Sequence, residues 1–290
     1  MSRLQMMLDI LARRRDPVPP ADPLQRPAVL AYPGLESKPV WDSARFEWAS
    51  RVEDAYPRIR SELGHALRQG RGFRTVWKDT TEFGEWAAMW IYLYGRPYAE
   101  NTALCPVTAE LLSGIPRRTG WACFSAMTAG THAKPHCGTT NAKLRCHLPL
   151  QIPEGCKMRI GNEVRQWAEG RLLIFDDSFE HEVWIAGDRA RIVLVFDVYH
   201  PDLRPEEMFL LEAIQRKQDL AGAVDRDSTK GVERPDECSW VYSAEVDRVQ
   251  HDEGGQASSA RGAQAPDVPR QVAGRYPDRV RRDPNVGEPS

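Results

Sequence analysis

"NAKLRCHLPL" (Asn141–Leu150) alternates over most of its length. As a strand it sets Leu144, Cys146, Leu148 and Leu150 on one face and Lys143, Arg145 and His147 on the other. A second stretch, "RARIVLVFDV" (Arg189–Val198), repeats the pattern, with Ile192, Leu194, Phe196 and Val198 against Arg191, Val193, Val195 and Asp197. A solvent-facing sheet would alternate in the same way. The polar set is of one kind, however: Arg145, His147 and Arg191 are cationic or hydrogen-bonding groups suited to carboxylates.

Outward from these two stretches the texture is uniform. Between Trp121 and His200 come "WACFSAMTAG", "AKLRCHLPLQIP", "CKMRIGN", "EVRQWAEG", "RLLIFDD", "HEVWIAG" and "RARIVLVFDVYH", each bounded by Gly, Pro, Asn or Asp. Many short strands of this sort predict a sandwich or barrel. Upstream, Trp41 to about Leu67 has helical spacing with a break at Pro57. "TEFGEWAAMWIYLYG" reads as a strand or strand pair, and "AENTALCPVTAELLSGIP" as a helix that stops before Pro116. Downstream, "RPEEMFLLEAIQRKQDL" fits a helix.

The ends differ from this centre. Residues 16–40 hold seven prolines and predict an extended arm. Ahead of them Leu4, Met7, Leu8 and Leu11 form an apolar helical stripe without the apolar core or cleavage site of a secretory signal, which reads as a short docking helix or as a mitochondrial-type presequence. Past Val249 the chain is Gly, Ala, Ser, Pro, Asp and Arg, a composition that cannot offset the entropy of ordering. The expected division is an arm over 1–40, a domain over 41–248 with its β-core at about 121–203, and a disordered tail over 249–290.

At 290 residues, 41% of them hydrophobic, the chain can bury a proper core. A net charge of −2 gives no reason to expect a nucleic-acid surface, and no apolar run is long enough for a bilayer. Six cysteines in a chain of this size without a signal predict thiols rather than a disulfide framework, hence a soluble cytoplasmic protein.

The chemistry gathers around "FDDSFEHEVW" (Phe175–Trp184), which follows the strand-like "RLLIF". His136 sits in "KPHCGTTN", His181 follows 45 residues later, and Arg191 ten after that. Lone loop histidines are usually surface or hydrogen-bonded residues. Two of them spaced across a β-core, with an arginine beyond, resemble the iron and 2-oxoglutarate oxygenases, whose iron(II) takes imidazole and carboxylate ligands. The usual carboxylate two residues after the first histidine is absent: Cys137 and Gly138 follow His136.

With that gap, "KPHCGTTNAKLRCHLPL", "EGRLLIFDDSFEHEVW" and "RIVLVFDVYHPDL" closely resemble the aspartyl/asparaginyl β-hydroxylases. The resemblance runs from about Trp86 to Leu203, with weaker echoes from "YPGLESKPVW". It implies a mainly β protein, a double-stranded β-helix (jelly-roll, cupin-like) with flanking N- and C-terminal helices. It implies iron(II) on His136 and His181 alone, with 2-oxoglutarate and O2 as cosubstrates. By position, Trp86, Ser125, Arg145, His147 and Arg191 match 2-oxoglutarate contacts, Arg191 on the far carboxylate. His136, His181 and Arg191 are then the catalytic set. The turn acids Asp176, Asp177 and Glu180 are expected either to orient His181 or the backbone around it, or to be solvated turn residues. Cys105 and Cys123 fall near a cysteine pair of some members and are expected to stay unpaired.

The activity so implied is hydroxylation at the β-carbon of an aspartyl- or asparaginyl-like substrate, free, carrier-bound or peptidyl. Three other readings share these residues: an acyl-chain hydroxylase or halogenase on the same metal, a cupin-like binding module without turnover, and a zinc site using Cys137 or Cys146. The oligomeric state is left open.

Overall fold

The structure, a computed structural model, describes residues 1–226 and 241, apart from 21, 77 and 94. The expected tail of 249–290 lies outside the described residues. Strands β1 (Val40–Trp41), β2 (Arg74–Thr75), β3 (Thr81–Phe83), β4 (Trp86–Leu93), β5 (Arg96–Pro97), β6 (Arg118–Met127) and β7 (His132–His136) come first. β8 (Lys143–Gln151), β9 (Lys157–Ile160), β10 (Glu163–Arg165), β11 (Leu173–Phe175), β12 (His181–Trp184) and β13 (Arg191–Tyr199) follow. The helices are α1 (Arg3–Leu11), α2 (Ala49–Asp54), α3 (Tyr56–Arg68), α4 (Ala99–Leu104), α5 (Pro106–Ser113) and α6 (Pro205–Arg226).

All named pairings are antiparallel. The larger sheet runs β1-β11-β8-β13-β6-β4-β2, with β5 on β4, and the smaller runs β10-β9-β12-β7-β3. Sequence neighbours such as β11, β12 and β13 alternate between the sheets, which makes the expected jelly roll.

Alternation in β8 and β13 decides the layering. Leu144, Leu148, Leu194 and Phe196 pack with Val52, Ile59, Leu63 and Leu112 of the helices on the outer face of the larger sheet. The inner face meets the smaller sheet, where Met127 and Phe175 pack with Met158, Ile160 and Val183. Arg191 and His147 therefore point into the protein, and both are buried. The solvent-facing alternative does not hold for this sheet.

Several local expectations shift. The helical stretch after Trp41 divides at Ala55, and Pro57 stands in the first turn of α3, where its missing N–H costs nothing. The helix expected up to Pro116 splits at Cys105, with Pro106 opening α5. The strand reading of "EVRQWAEG" stops at Arg165, leaving Trp167 in a loop yet buried. His136, read as a loop residue, ends β7; Pro135 hides that strand in the sequence.

The N-terminal segment does dock. Met7 of α1 is wholly buried with Tyr32, Ala142, Tyr199, Leu203 and Leu211, while Leu8 and Leu11 stay exposed. The Asn141 side chain holds the arm by accepting from Tyr32 N (2.7 Å) and donating to Tyr32 O (3.0 Å). No helix among the described residues is long and apolar enough to cross a membrane. The five described cysteines, Cys105 and Cys123 included, are free thiols.

Candidate active site

β7 and β12 are neighbours in the smaller sheet, and their register sets His181 opposite His136. The two imidazole centroids lie 4.2 Å apart. Each ring is held the same way: Nδ1 of His136 donates to Lys134 O (2.7 Å) and Nδ1 of His181 to Phe179 O (2.9 Å). A carbonyl only accepts, so each Nδ1 carries the hydrogen and each Nε2 keeps its lone pair. Burial lowers the pKa of both histidines, that of His181 strongly. Both are neutral at pH 7, the form that ligates a metal.

Gly138 explains the absent carboxylate in physical terms. A Cβ at Gly138 would come within 2.3 Å of the Asp177 carboxyl carbon and 2.4 Å of both its oxygens. Gly138 N donates to Asp177 O at 2.6 Å, so the two loops touch through backbone. The space a side chain at 138 would fill is taken by Asp177. That carboxylate is buried and 2.9 Å from Arg145 Nη1. The approach is charge to charge, off the N–H direction, and neither oxygen has a hydrogen-bond donor among the described residues.

The remaining turn acids are also engaged. Asp176 Oδ1 accepts from Ser178 N (2.9 Å) and Ser178 Oγ (2.6 Å), and burial raises its pKa to about 7. Glu180 pairs with Arg26 and with Arg159 (2.9 Å).

Two arginines share the inner face of the larger sheet and differ in their company. Arg145 directs Nε and Nη2 at Asp197 (3.0 and 3.3 Å), which also takes Lys143 Nζ at 2.7 Å. Burial works against the Arg145 charge, but Asp177 and Asp197 outweigh it and raise its pKa. Arg191 is 1% exposed and meets no carboxylate among the described residues. Its Nη1 makes long contacts to Ser125 O (3.4 Å) and Oγ (3.5 Å), its Nη2 faces the Met127 sulfur, and its Nε has no partner among the described residues. Burial pushes its pKa down to about 10.

The groups around Arg191 are set for an anion. Trp86 Nε1 donates to Ser125 Oγ (2.8 Å). Trp167 Nε1 donates to His147 Nδ1 (3.2 Å), and burial holds His147 neutral, so Nε2 bears the hydrogen as a buried donor. The Phe175 ring joins the two ends, edge-on to His147 (5.0 Å) and to His181 (5.8 Å). Trp167, Asp197 and Met127 carried no sequence signal of a role; Trp167 sat in a stretch read as strand.

A cavity of about 460 Å³ opens over this region. Trp86, His136, Asp177 and Arg145 line its floor and Val29, Leu30, Leu211 and Ile214 also line it. His136 lines this cavity, while His181, His147, Ser125 and Arg191 are not among its lining residues. The residues of the inter-sheet space fit an iron and dicarboxylate pair: two prepared imidazoles, and a buried guanidinium that has the Trp167 ring at 5.2 Å but no carboxylate among the described residues. Among the described residues no cluster of three or more His, Cys, Asp or Glu could hold a metal, so the zinc reading finds no support.

The family model described as aspartyl/asparaginyl beta-hydroxylase matches residues 53–201, which include all seven candidate residues. The chain belongs to that family. Human "Aspartyl/asparaginyl beta-hydroxylase" is 38% identical over 192 residues, 62% of this chain and 25% of that protein. The "Ornithine lipid ester-linked acyl 2-hydroxylase" of Rhizobium tropici is 37% identical over 185 residues, 59% of this chain and 64% of that protein. Human "Aspartate beta-hydroxylase domain-containing protein 2" is 38% identical over 211 residues, 66% of this chain and 55% of that protein. The chain thus spans between a quarter and just under two thirds of these family members.

Proposed function

We propose that this chain is an iron(II)- and 2-oxoglutarate-dependent dioxygenase that hydroxylates an aspartyl- or asparaginyl-like substrate at its β-carbon. The observation that carries the reading is Arg191: a buried guanidinium without an anion, in the inter-sheet space that also holds two imidazoles with open Nε2 atoms. Leaving a buried charge without its partner costs about 3–5 kcal/mol, so an anion that pairs with Arg191 recovers a large part of that free energy.

In this reading His136 and His181 hold the iron. Arg191 takes the far carboxylate of 2-oxoglutarate as a charge-assisted bidentate pair, with Ser125 Oγ beside it. His147 Nε2–H donates to a carboxylate oxygen, and Trp167 keeps that ring in the donating tautomer. Iron with 2-oxoglutarate and O2 supplies the oxidation, in which one oxygen enters the substrate and the other leaves in succinate, with carbon dioxide released. Trp86 walls the cavity and fixes Ser125. Asp177 occupies the space beside Gly138, so the glycine does not leave a vacancy there for a halide, which speaks against halogenation.

The test is succinate release under air with iron(II), ascorbate and 2-oxoglutarate, first without substrate and then with aspartyl and asparaginyl peptides or amino acids. Succinate with a one-oxygen mass gain on the added compound supports the reading. No iron-dependent succinate under any condition sinks it and leaves the binding-module alternative.

One observation favours a second substrate class. Lys143 and Arg145 are both neutralised, by Asp197 and Asp177, and Val29, Leu30, Leu211 and Ile214 make part of the cavity wall apolar. An acyl chain would fit such a wall, as the name of the Rhizobium tropici relative suggests. Offering an acyl lipid beside the aspartyl compounds, and following which gains oxygen, separates the two.

A further inference from the structure

The two ligand loops are tied together by a segment outside the stretch that the family model matches. Residues 24–30 of the arm run across both. Glu180 N donates to Leu24 O (2.9 Å) and Arg26 N to Ser178 O (2.8 Å), in the turn that ends at His181. Ala28 N donates to Gly138 O (2.9 Å), and Val29 N and Leu30 N to Thr139 O (3.0 and 2.9 Å), in the loop that begins after His136. One short stretch therefore bridges the loops that flank the two imidazoles, beside the strand pairing that brings the rings together.

A side chain fastens this stretch from within. Gln25 is 3% exposed, and its amide bridges arm and turn: Nε2 donates to Asp176 Oδ2 (2.7 Å) and Oε1 accepts from Ser37 Oγ (2.7 Å). Asp176 N donates to Pro39 O (3.0 Å), so the arm grips the turn on both sides of the amide. Remove the Gln25 amide and the buried Asp176 Oδ2 loses the one donor it has among the described residues, beside the turn that delivers His181.

We propose that residues 24–30 are a strap that holds the loops beside His136 and His181 in place, adding to the β7–β12 pairing that sets the two rings opposite each other, with Gln25 as the positioning residue that fastens it. The inference rests on the two-histidine metal reading. The arm is then part of the active site rather than a tether leading to it. Groups behind metal ligands change metal affinity by about 10–100-fold when lost, because the ligands then pay for their own ordering on binding.

The experiment is anaerobic titration of the full chain with cobalt(II), followed by its visible absorption, for the wild type, Gln25→Ala and Ser37→Ala. Metal-free melting curves are recorded in parallel. Gln25→Ala should weaken cobalt(II) binding about 10-fold or more, and Ser37→Ala, which leaves the contact to Asp176, about 2–5-fold. A purely structural role would lower the melting temperature yet leave the affinity alone, because at 25 °C nearly every molecule stays folded. Equal affinities in all three proteins would overturn the strap. A wild type that binds no cobalt(II) would instead overturn the metal site itself. If Gln25→Ala does not fold, Ser37→Ala decides: a wild-type affinity refutes the proposal.

Discussion

Arg191 and Arg145 predict opposite consequences for one substitution. Burial pushes the Arg191 pKa well below its ordinary value, to about 10. At 1.36 kcal/mol per tenfold in proton affinity, that is a penalty of about 3 kcal/mol on the charged form. For a cation whose folded pKa is depressed, the penalty is fully present below the folded value and is relieved only above it. It therefore acts undiminished at pH 7 to 8.

Arg191→Met keeps most of the apolar stem and removes the charge, so the protein without metal or 2-oxoglutarate should gain about 1–3 kcal/mol. For a fold of this size that raises the melting temperature by about 2–10 °C. The same variant should bind 2-oxoglutarate, in the presence of manganese(II), at least about 30-fold more weakly, since a buried charge-assisted contact is worth about 2–5 kcal/mol. Arg145→Met strands Asp177 and leaves Asp197 to Lys143 alone, and should instead cost about 3–5 kcal/mol. Differential scanning calorimetry reads the stabilities and isothermal titration the affinity. Should Arg191→Met lose as much stability as Arg145→Met, Arg191 is not an unpaired charge and the cosubstrate argument fails.

Three further outcomes are expected. His136→Ala and His181→Ala should each abolish substrate-uncoupled turnover of 2-oxoglutarate and weaken manganese(II) binding beyond measurement; paramagnetic titration checks this, and unchanged binding in either would end the ligand assignment. Gly138→Asp should lower the melting temperature and metal affinity together, because its Cβ meets Asp177 at 2.3–2.4 Å, and overpacking costs about 1–3 kcal/mol. Adding Asp177→Ala should recover part of that loss, and an undisturbed single variant would contradict the packing argument. Acid should destabilise the metal-free protein: burial lowers the pKa of His136, His147, His181 and His200, so below about pH 6.5 the unfolded chain binds more protons than the folded one. Asp176, raised to about 7, opposes this slope by one group against four. Melting temperatures that stay level from pH 7 to 5 would count against neutral buried imidazoles.

What the residues disclosed in advance follows from which interactions leave a periodic trace. Alternation in Lys143–Gln151 and Arg191–Tyr199 showed which side chains share a face, because a strand's geometry requires it. Nothing in that pattern separates Arg145 from Arg191: Asp197, the partner that neutralises Arg145, sits across the β8–β13 register and stands out only once the strands pair. Gly138 read as a missing ligand, whereas the occupant of its space, Asp177, comes from a turn about forty residues on. The strap was illegible for a different reason. Its ties are mostly backbone hydrogen bonds, which any sequence can make, and the seven prolines of residues 16–40 marked the whole arm only as extended. β7 was hidden by Pro135 in a strand of five residues.

The account stands or falls on one picture: two histidines meeting at a metal, and a guanidinium waiting for a dicarboxylate. A diffraction structure of the protein grown anaerobically with manganese(II) and 2-oxoglutarate, with anomalous data to locate the metal, shows it directly. The account predicts manganese on Nε2 of both His136 and His181, with the far carboxylate of 2-oxoglutarate on the Arg191 guanidinium. Metal bound elsewhere, or a cosubstrate that leaves Arg191 unpaired, would contradict it.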